Sequence, residues 1–159
     1  MTQETIPDMT PEQLAQTCSN IMHADDHAAK WLGMEIIESL PGQATLSMTV
    51  TQHMANGHGI CHGGMIFTLC DTAFAHACNN TNRKSVASGC GIDFLAPAYV
   101  GDRLTARAVE RSRSRRTGVY DIEVHNQDDV LLAVFRGKSY QIKGNLVNDI
   151  SVENAKDTA

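Results

Sequence analysis

Between residues 43 and 50 apolar and polar side chains alternate, Ala44, Leu46, Met48 and Val50 against Thr45, Ser47 and Thr49. A period of two places the first set on one face of a strand, and Pro41-Gly42 just before it marks a turn out of an earlier strand. The alternation returns late in the chain. Leu104, Ala106 and Ala108 interleave with Arg103, Thr105 and Arg107 in 102–110, and Tyr120, Ile122 and Val124 with Asp121 and Glu123 in 117–124. Stretches 86–95 and 130–142 also read as strands, the second entered from the turn Asn126-Gln127-Asp128-Asp129. Two segments carry helical pattern instead. Thr10-Pro11-Glu12-Gln13 has the signature of a capped start, and the helix it opens runs towards Trp31-Leu32 and stops at Gly33. The other, 63–79, is apolar on nearly every face, which predicts a buried helix.

The order is thus helix, two strands, apolar helix, four strands. Short turns between the late strands demand antiparallel pairing. The expected architecture is α+β, an antiparallel sheet wrapped around one long apolar helix. A single sheet leaves one side of such a helix uncovered, so a partner subunit and a homo-oligomer are expected. Residues 20–142 hold the pattern; 1–19 read as an N-terminal extension and 143–159 as a flexible C-terminal tail.

Charge changes the picture at one place. From position 39 to position 82 the only formally charged residue is Asp71, where the chain's overall 19% charge would supply about eight. Asp71 lies inside the apolar helix, with Phe67 four residues before it and Phe74 three after. A buried carboxylate costs several kcal/mol unless it is paired or used, so Asp71 is the first candidate for chemistry. Six of the 13 Lys and Arg fall at Arg103, Arg107, Arg111, Arg113, Arg115 and Arg116. This is either a solvated strand face or a local site for a small polyphosphate ligand. The net charge of −5 and the lack of aromatic residues among these arginines exclude nucleic acid as the partner. No run is long enough for a membrane span. Five cysteines without paired spacing, and a start without the basic and apolar regions of a secretory signal, predict a cytoplasmic protein with reduced thiols.

Several chemistries fail on their motifs. Gly57-His58-Gly59-Ile60-Cys61-His62-Gly63 misses the dinucleotide fingerprint by one residue, and no alternating strand–helix units follow. His58, Cys61 and His62 lack a second ligand cluster, so no metal is expected. No GxSxG occurs. The junction His62-Gly63-Gly64 survives. Glycines at a helix N-terminus combine unsatisfied N–H groups, a favourable dipole and room for a carbonyl to approach, as an oxyanion site requires; the plainer alternative is close helix packing on the sheet. Gly63 and Asp71 are eight residues apart on one helix, about 12 Å. They cannot serve one substrate from one chain, and if both act, the site crosses a subunit interface.

These residues carry a family likeness. Asn56-Gly57-His58-x-x-Cys61-His62-Gly63-Gly64-x-x-Phe67-x-Leu69-x-Asp71-Thr72-Ala73-Phe74-Ala75 resembles the signature of the phenylacetic-acid-degradation thioesterases of the hotdog superfamily. The likeness continues through Ile92-Asp93-Phe94-Leu95-x-Pro97, Gly101-Asp102, 117–123 and 135–139. It implies a hotdog fold, a tetramer built as a dimer of dimers, and hydrolysis of aryl-acetyl-CoA thioesters without a cofactor. By motif position Asp71 matches the catalytic acid, Gly63 the oxyanion amide, and Asn56 a residue that positions the water or thioester, with His62 lining the same junction. Gly64 and Phe67 are the candidate substrate contacts, and Arg115, Arg116 and Lys138 the nominees for the CoA phosphates. The chain departs from the family in its two ends and in a heavier arginine content over 111–116. The alternatives carried forward are a hotdog acyl-CoA hydratase or dehydratase, and a non-catalytic acyl-CoA sensor.

Overall fold

The computed structural model describes residues 9–147. Helix α1 (Pro11–Asp25) begins with the expected capping box: Gln13 N donates to Thr10 Oγ1 at 3.2 Å, and Thr10 N to Gln13 Oε1 at 2.9 Å. The helix does not run unbroken to Trp31. Asp26 interrupts it by capping a second helix, α2 (His27–Trp31), its Oδ1 accepting from Ala29 N at 2.9 Å. Asp stabilises a helix as its cap more than within its body, which explains the break.

Six strands follow in one antiparallel sheet: β1 (Glu35–Leu40), β2 (Gln43–Thr49), β3 (Ser85–Phe94), β4 (Arg103–Arg113), β5 (Thr117–His125) and β6 (Leu131–Gln141), in spatial order β1-β2-β4-β5-β6-β3. The uninterrupted helix α3 (Gly63–Asn79) lies between β2 and β3 in sequence and packs on the sheet's inner face. The predicted alternation supplies that face. Leu46, Met48, Leu104, Ala106, Tyr120, Ile122, Val124 and Phe135 are buried together with Ile66, Leu69, Ala73, Phe74 and Ala77 of the helix. Gly137 of β6 permits the contact: a Cβ there would sit 2.7 Å from the Phe74 ring. Fold class and the limits of α3 match the sequence expectation.

The domain limits differ from those drawn at 20 and 142. Ala15 and Cys18 are fully buried, so α1 belongs to the folded domain, because its apolar face closes the side of the sheet near β1. Residues 143–147 also return to the molecule, Asn82 Oδ1 accepting from Leu146 N and Val147 N at 2.8 and 3.0 Å. The remainder of the expected tail, and residues 1–8, lie outside the described residues.

β4 extends past the predicted end at 110 through a bulge between Glu110 and Ser112. The extra residue leaves Arg111 outside beside Asp121 and turns Arg113 inward. There Arg113 meets Glu110 and donates to Thr81 Oγ1 at 2.8 Å. Arg103 pairs with Glu35 at 3.6 Å. The six arginines therefore do not form one phosphate patch: they divide between the outer face, the interior and the β4–β5 turn.

A buried polar cluster lies where α1 meets the end of α3. Among the described residues neither ring nitrogen of His76 has a hydrogen-bond partner, and the ring lies 6.3 Å from that of His23. Burial first, then the charge of His23, hold the His76 pKa down to about 4, with Asp26 opposing. A histidine with a folded pKa below its unfolded 6.5 stabilises the fold above that value and loses this as the pH falls towards 4. The window is worth about 3 kcal/mol. His76→Leu is expected to flatten the decline in urea midpoint between pH 6.5 and 4. A variant midpoint that falls as steeply as the wild type's would assign the decline to other groups.

Candidate active site

The loop before α3 is pinned at both ends. His62 N donates to Met54 O at 2.7 Å and Cys61 N to Ala98 O at 2.8 Å. Inside it, Asn56 folds the tip around itself, its Oδ1 accepting from His58 N at 2.9 Å and from Ile60 N at 3.4 Å. The oxygen is thereby used, and Nδ2 is left with no acceptor among the described residues. His62 is the N-cap of α3, its Nδ1 accepting from Gly64 N at 2.9 Å. The N–H groups of Met65 and Ile66 reach His62 O. Of the first amides of this helix, that of Gly63 alone has no acceptor among the described residues. Gly63 and Asn56 line the same cleft of about 630 Å³, whose walls include Ile60, Ile66, Phe94, Leu95 and Pro97. One loop-to-helix junction thus offers two unused donors, an amide N–H and a carboxamide, to a carbonyl entering an apolar cleft.

Asp71 lies two turns along α3, outside that cleft. It is half-buried, it makes no hydrogen bond or ion pair among the described residues, and burial pushes its carboxyl above the usual range. It belongs to the side of α3 that the sheet leaves open, a stripe of incompletely buried residues running through Gly64, Phe67, Thr68, Asp71 and Ala75. Phe74 turns away into the core against Tyr120, while Phe67 stays half-buried with its ring edge-on to Phe135 at 5.2 Å. Cys90 of β3 sits opposite Gly137 in register, on the face towards α3, and the charge of Asp71 adds to burial in raising its thiol.

The other nominees are elsewhere. Arg115 and Arg116 line a separate hollow of about 570 Å³ with Tyr140 and Lys143, next to the segment that Arg113 ties to Thr81, just past the end of α3. The 17 residues of α3, about 25 Å, separate that end from Gly63. Lys138 is exposed on the outer face of β6. Within one chain, then, Asn56, His62, Gly63 and Gly64 are together, and Arg115, Arg116, Lys138 and Asp71 are apart from them.

Cysteine chemistry is disfavoured. Burial, the main cause, pushes the Cys61 thiol up to about 11 and those of Cys70 and Cys78 to about 12, so all three stay protonated at neutral pH. Among the described residues no three metal-ligating side chains are arranged to hold an ion. The cleft walls Ile60, Phe94 and Leu95 are the residues that motif reasoning did not single out for the site. The period-two run Cys90, Ile92, Phe94 was the available signal for the strand wall, since it places all three on the side facing α3.

The Thioesterase superfamily profile matches residues 58–133. The acyl-coenzyme A thioesterase PaaI of Escherichia coli is 50% identical over 131 residues, covering 82% of this chain and 94% of that protein. The structure of the E. coli PaaI protein from the phenylacetic acid degradation operon superposes with a TM-score of 0.85 at 48% identity, covering 86% of this chain and 99% of the other. A Streptococcus mutans protein solved with acetyl-CoA bound superposes with a TM-score of 0.68 at 25% identity, over 70% of this chain and 90% of that one.

Proposed function

Since this chain belongs to the thioesterase superfamily, among the phenylacetic-acid-degradation thioesterases, and is an acyl-CoA thioesterase, we propose that it hydrolyses phenylacetyl-CoA and related aryl-acyl-CoA thioesters to the free acid and CoA. The observation that carries the site is the Gly63 amide at the wall of the cleft, without an acceptor among the described residues, in the same cleft as Asn56, whose Nδ2 likewise has none. The thioester oxygen accepts from Gly63 N–H at the positive end of α3, so negative charge developing on it is stabilised. Asn56 Nδ2 orients the carbonyl or the attacking water. His62 contributes by fixing the cap: its Nδ1 holds Gly64 N–H, which leaves Gly63 as the exposed donor. Gly64 and Phe67 lie on the open stripe of α3 rather than in the cleft wall, and would meet substrate only where a second chain packs there.

Asp71 of a second chain completes the site. In one route it takes a proton from water, whose oxygen adds to the carbonyl carbon. In the other its carboxylate adds directly and forms a mixed anhydride that water then cleaves. Either tetrahedral adduct collapses by breaking the C–S bond, and the departing CoA thiolate takes up a proton. Single-turnover hydrolysis in oxygen-18 water separates the routes, since only the second moves label into the enzyme's carboxylate.

Two features support assembly into a homo-oligomer, and the family likeness implies a tetramer built from dimers. Strand β3 ends the sheet with its outer edge unpaired among the described residues and 86–91 exposed, and the open stripe of α3 lies beside it. A second chain placed there would bring its Asp71 towards this Gly63. Arg115, Arg116 and Lys138, remote from their own Gly63, would then meet the CoA phosphates bound at a neighbour's junction. The five free cysteines, four of them buried, suit a reducing cytoplasm.

The test is free-thiol release from phenylacetyl-CoA, with a short aliphatic acyl-CoA and an enoyl-CoA in parallel. Thiol release from the aryl thioester is expected. Water addition to the enoyl-CoA without thiol release would favour a hydratase instead, and binding with no turnover a sensor.

A further inference from the structure

The cleft contains an aromatic ring that the mechanism above does not use. Phe94 lies on the face of β3 turned towards α3, opposite Ala133 in register, yet it is 52% exposed. One face of its ring, near the tip, covers Gly63: a Cβ built on Gly63 would stand 2.8 Å from Phe94 Cζ and 3.3 Å from each Cε. The contact occupies part of one face at the ring's tip, and the rest of the half-exposed ring is open to the cleft. The chain's other phenylalanines, Phe67, Phe74 and Phe135, are engaged with one another or with Tyr120. Phe94 has no aromatic partner among the described residues.

We infer that Phe94 is a specificity-determining residue, supplying the aromatic surface against which the ring of an arylacetyl thioester packs. This inference rests on the aryl-acyl-CoA reading. With the thioester oxygen on Gly63 N–H, the first carbons of the acyl group lie next to Gly63, where the Phe94 ring stands. An aryl ring one methylene from the carbonyl falls within the range of an aromatic pair, with centroids 4.5 to 7 Å apart as a rough rule. Such pairs contribute beyond the area they bury, equivalent to about 3- to 10-fold in affinity. A flexible alkyl chain gains the burial but not the ring pairing.

The test compares kcat/KM for phenylacetyl-CoA and hexanoyl-CoA in Phe94→Leu and Phe94→Tyr. Leu keeps apolar bulk without a ring, and the phenylacetyl-to-hexanoyl ratio is expected to fall about 3- to 10-fold. Tyr keeps the ring and should hold the ratio within about twofold. Phe94→Met gives the same readout if the Leu variant fails to fold. An unchanged ratio in the ring-less variant, whether both rates persist or both fall together, would overturn the inference and leave Phe94 as packing for Gly63 or a partner chain. Wild-type protein that does not cleave phenylacetyl-CoA at all would overturn the reading beneath it, a result visible before any variant is made.

Discussion

Replacing Asp71 with Asn is expected to lower kcat for phenylacetyl-CoA about a thousandfold and to leave KM within a few-fold, since proton transfer in the transition state contributes on the order of 10² to 10⁴. Asn is nearly isosteric but neither takes up the water's proton nor attacks the carbonyl. The same variant should be at least as thermally stable as the wild type. Burial raises the folded pKa of this carboxyl. Any stability its protonated form contributes is therefore present below the unfolded pKa and lost as the pH rises through the folded one. At neutral pH the ionised group is a net cost, borne without a hydrogen bond or ion pair among the described residues, and the neutral amide removes it. Loss of activity with a maintained or raised Tm would identify a functional carboxylate. Unchanged kcat would assign Asp71 to structure and remove the base from the mechanism.

The second large effect concerns a single hydrogen. Gly63 is the first residue of α3, and His62 before it has φ −62° and ψ 132°, a conformation that accepts a following proline. Proline is favoured at the first helical position, where no intrahelical bond is lost. Gly63→Pro should therefore keep the helix while deleting the proposed oxyanion donor. It also introduces a Cβ 2.8 Å from Phe94 Cζ, but Gly63→Ala introduces the same Cβ and keeps the N–H. The alanine variant measures crowding alone, expected to cost about tenfold or less if Phe94 swings aside. The proline variant is expected to lose about a further 10² to 10³ in kcat, the usual consequence of removing one oxyanion donor. Equal rates in the two variants would mean that the glycine is there for packing only.

Much of this architecture is legible from period alone. The alternation in β2, β4 and β5 returned the apolar buried positions, because each strand turns one face to α3; Ser47 on the outer face of β2 is the exception, buried beside Arg103. The limits of α3 follow from glycines at one end and Asn79-Asn80 at the other. The break at Asp26 was hidden because Asp is tolerated in a helix body as well as at a cap, and only its bond to Ala29 N decides between them. The bulge in β4 was hidden for a related reason: an extra residue shifts the alternation by one and makes inward Arg113 look like its outward neighbours. At the site, Gly63, Gly64 and Asp71 stood out as glycines and a charge where neither is expected. Phe94 did not, since an apolar residue at an inward strand position looks like core until its exposure is known.

The proposed mechanism requires a working site to take Gly63 from one chain and Asp71 from another. Mixing Asp71→Asn with Gly63→Pro under conditions that exchange subunits tests it directly, with phenylacetyl-CoA hydrolysis as the readout. Each variant alone is nearly inactive, but half of the randomly paired dimers combine the two, and each of these holds one intact site. Activity is therefore predicted to recover to about a quarter of the wild type's on statistical pairing of a two-fold interface. Verified mixed oligomers that remain as inactive as their parents would contradict a shared site and place both residues in the service of a single chain.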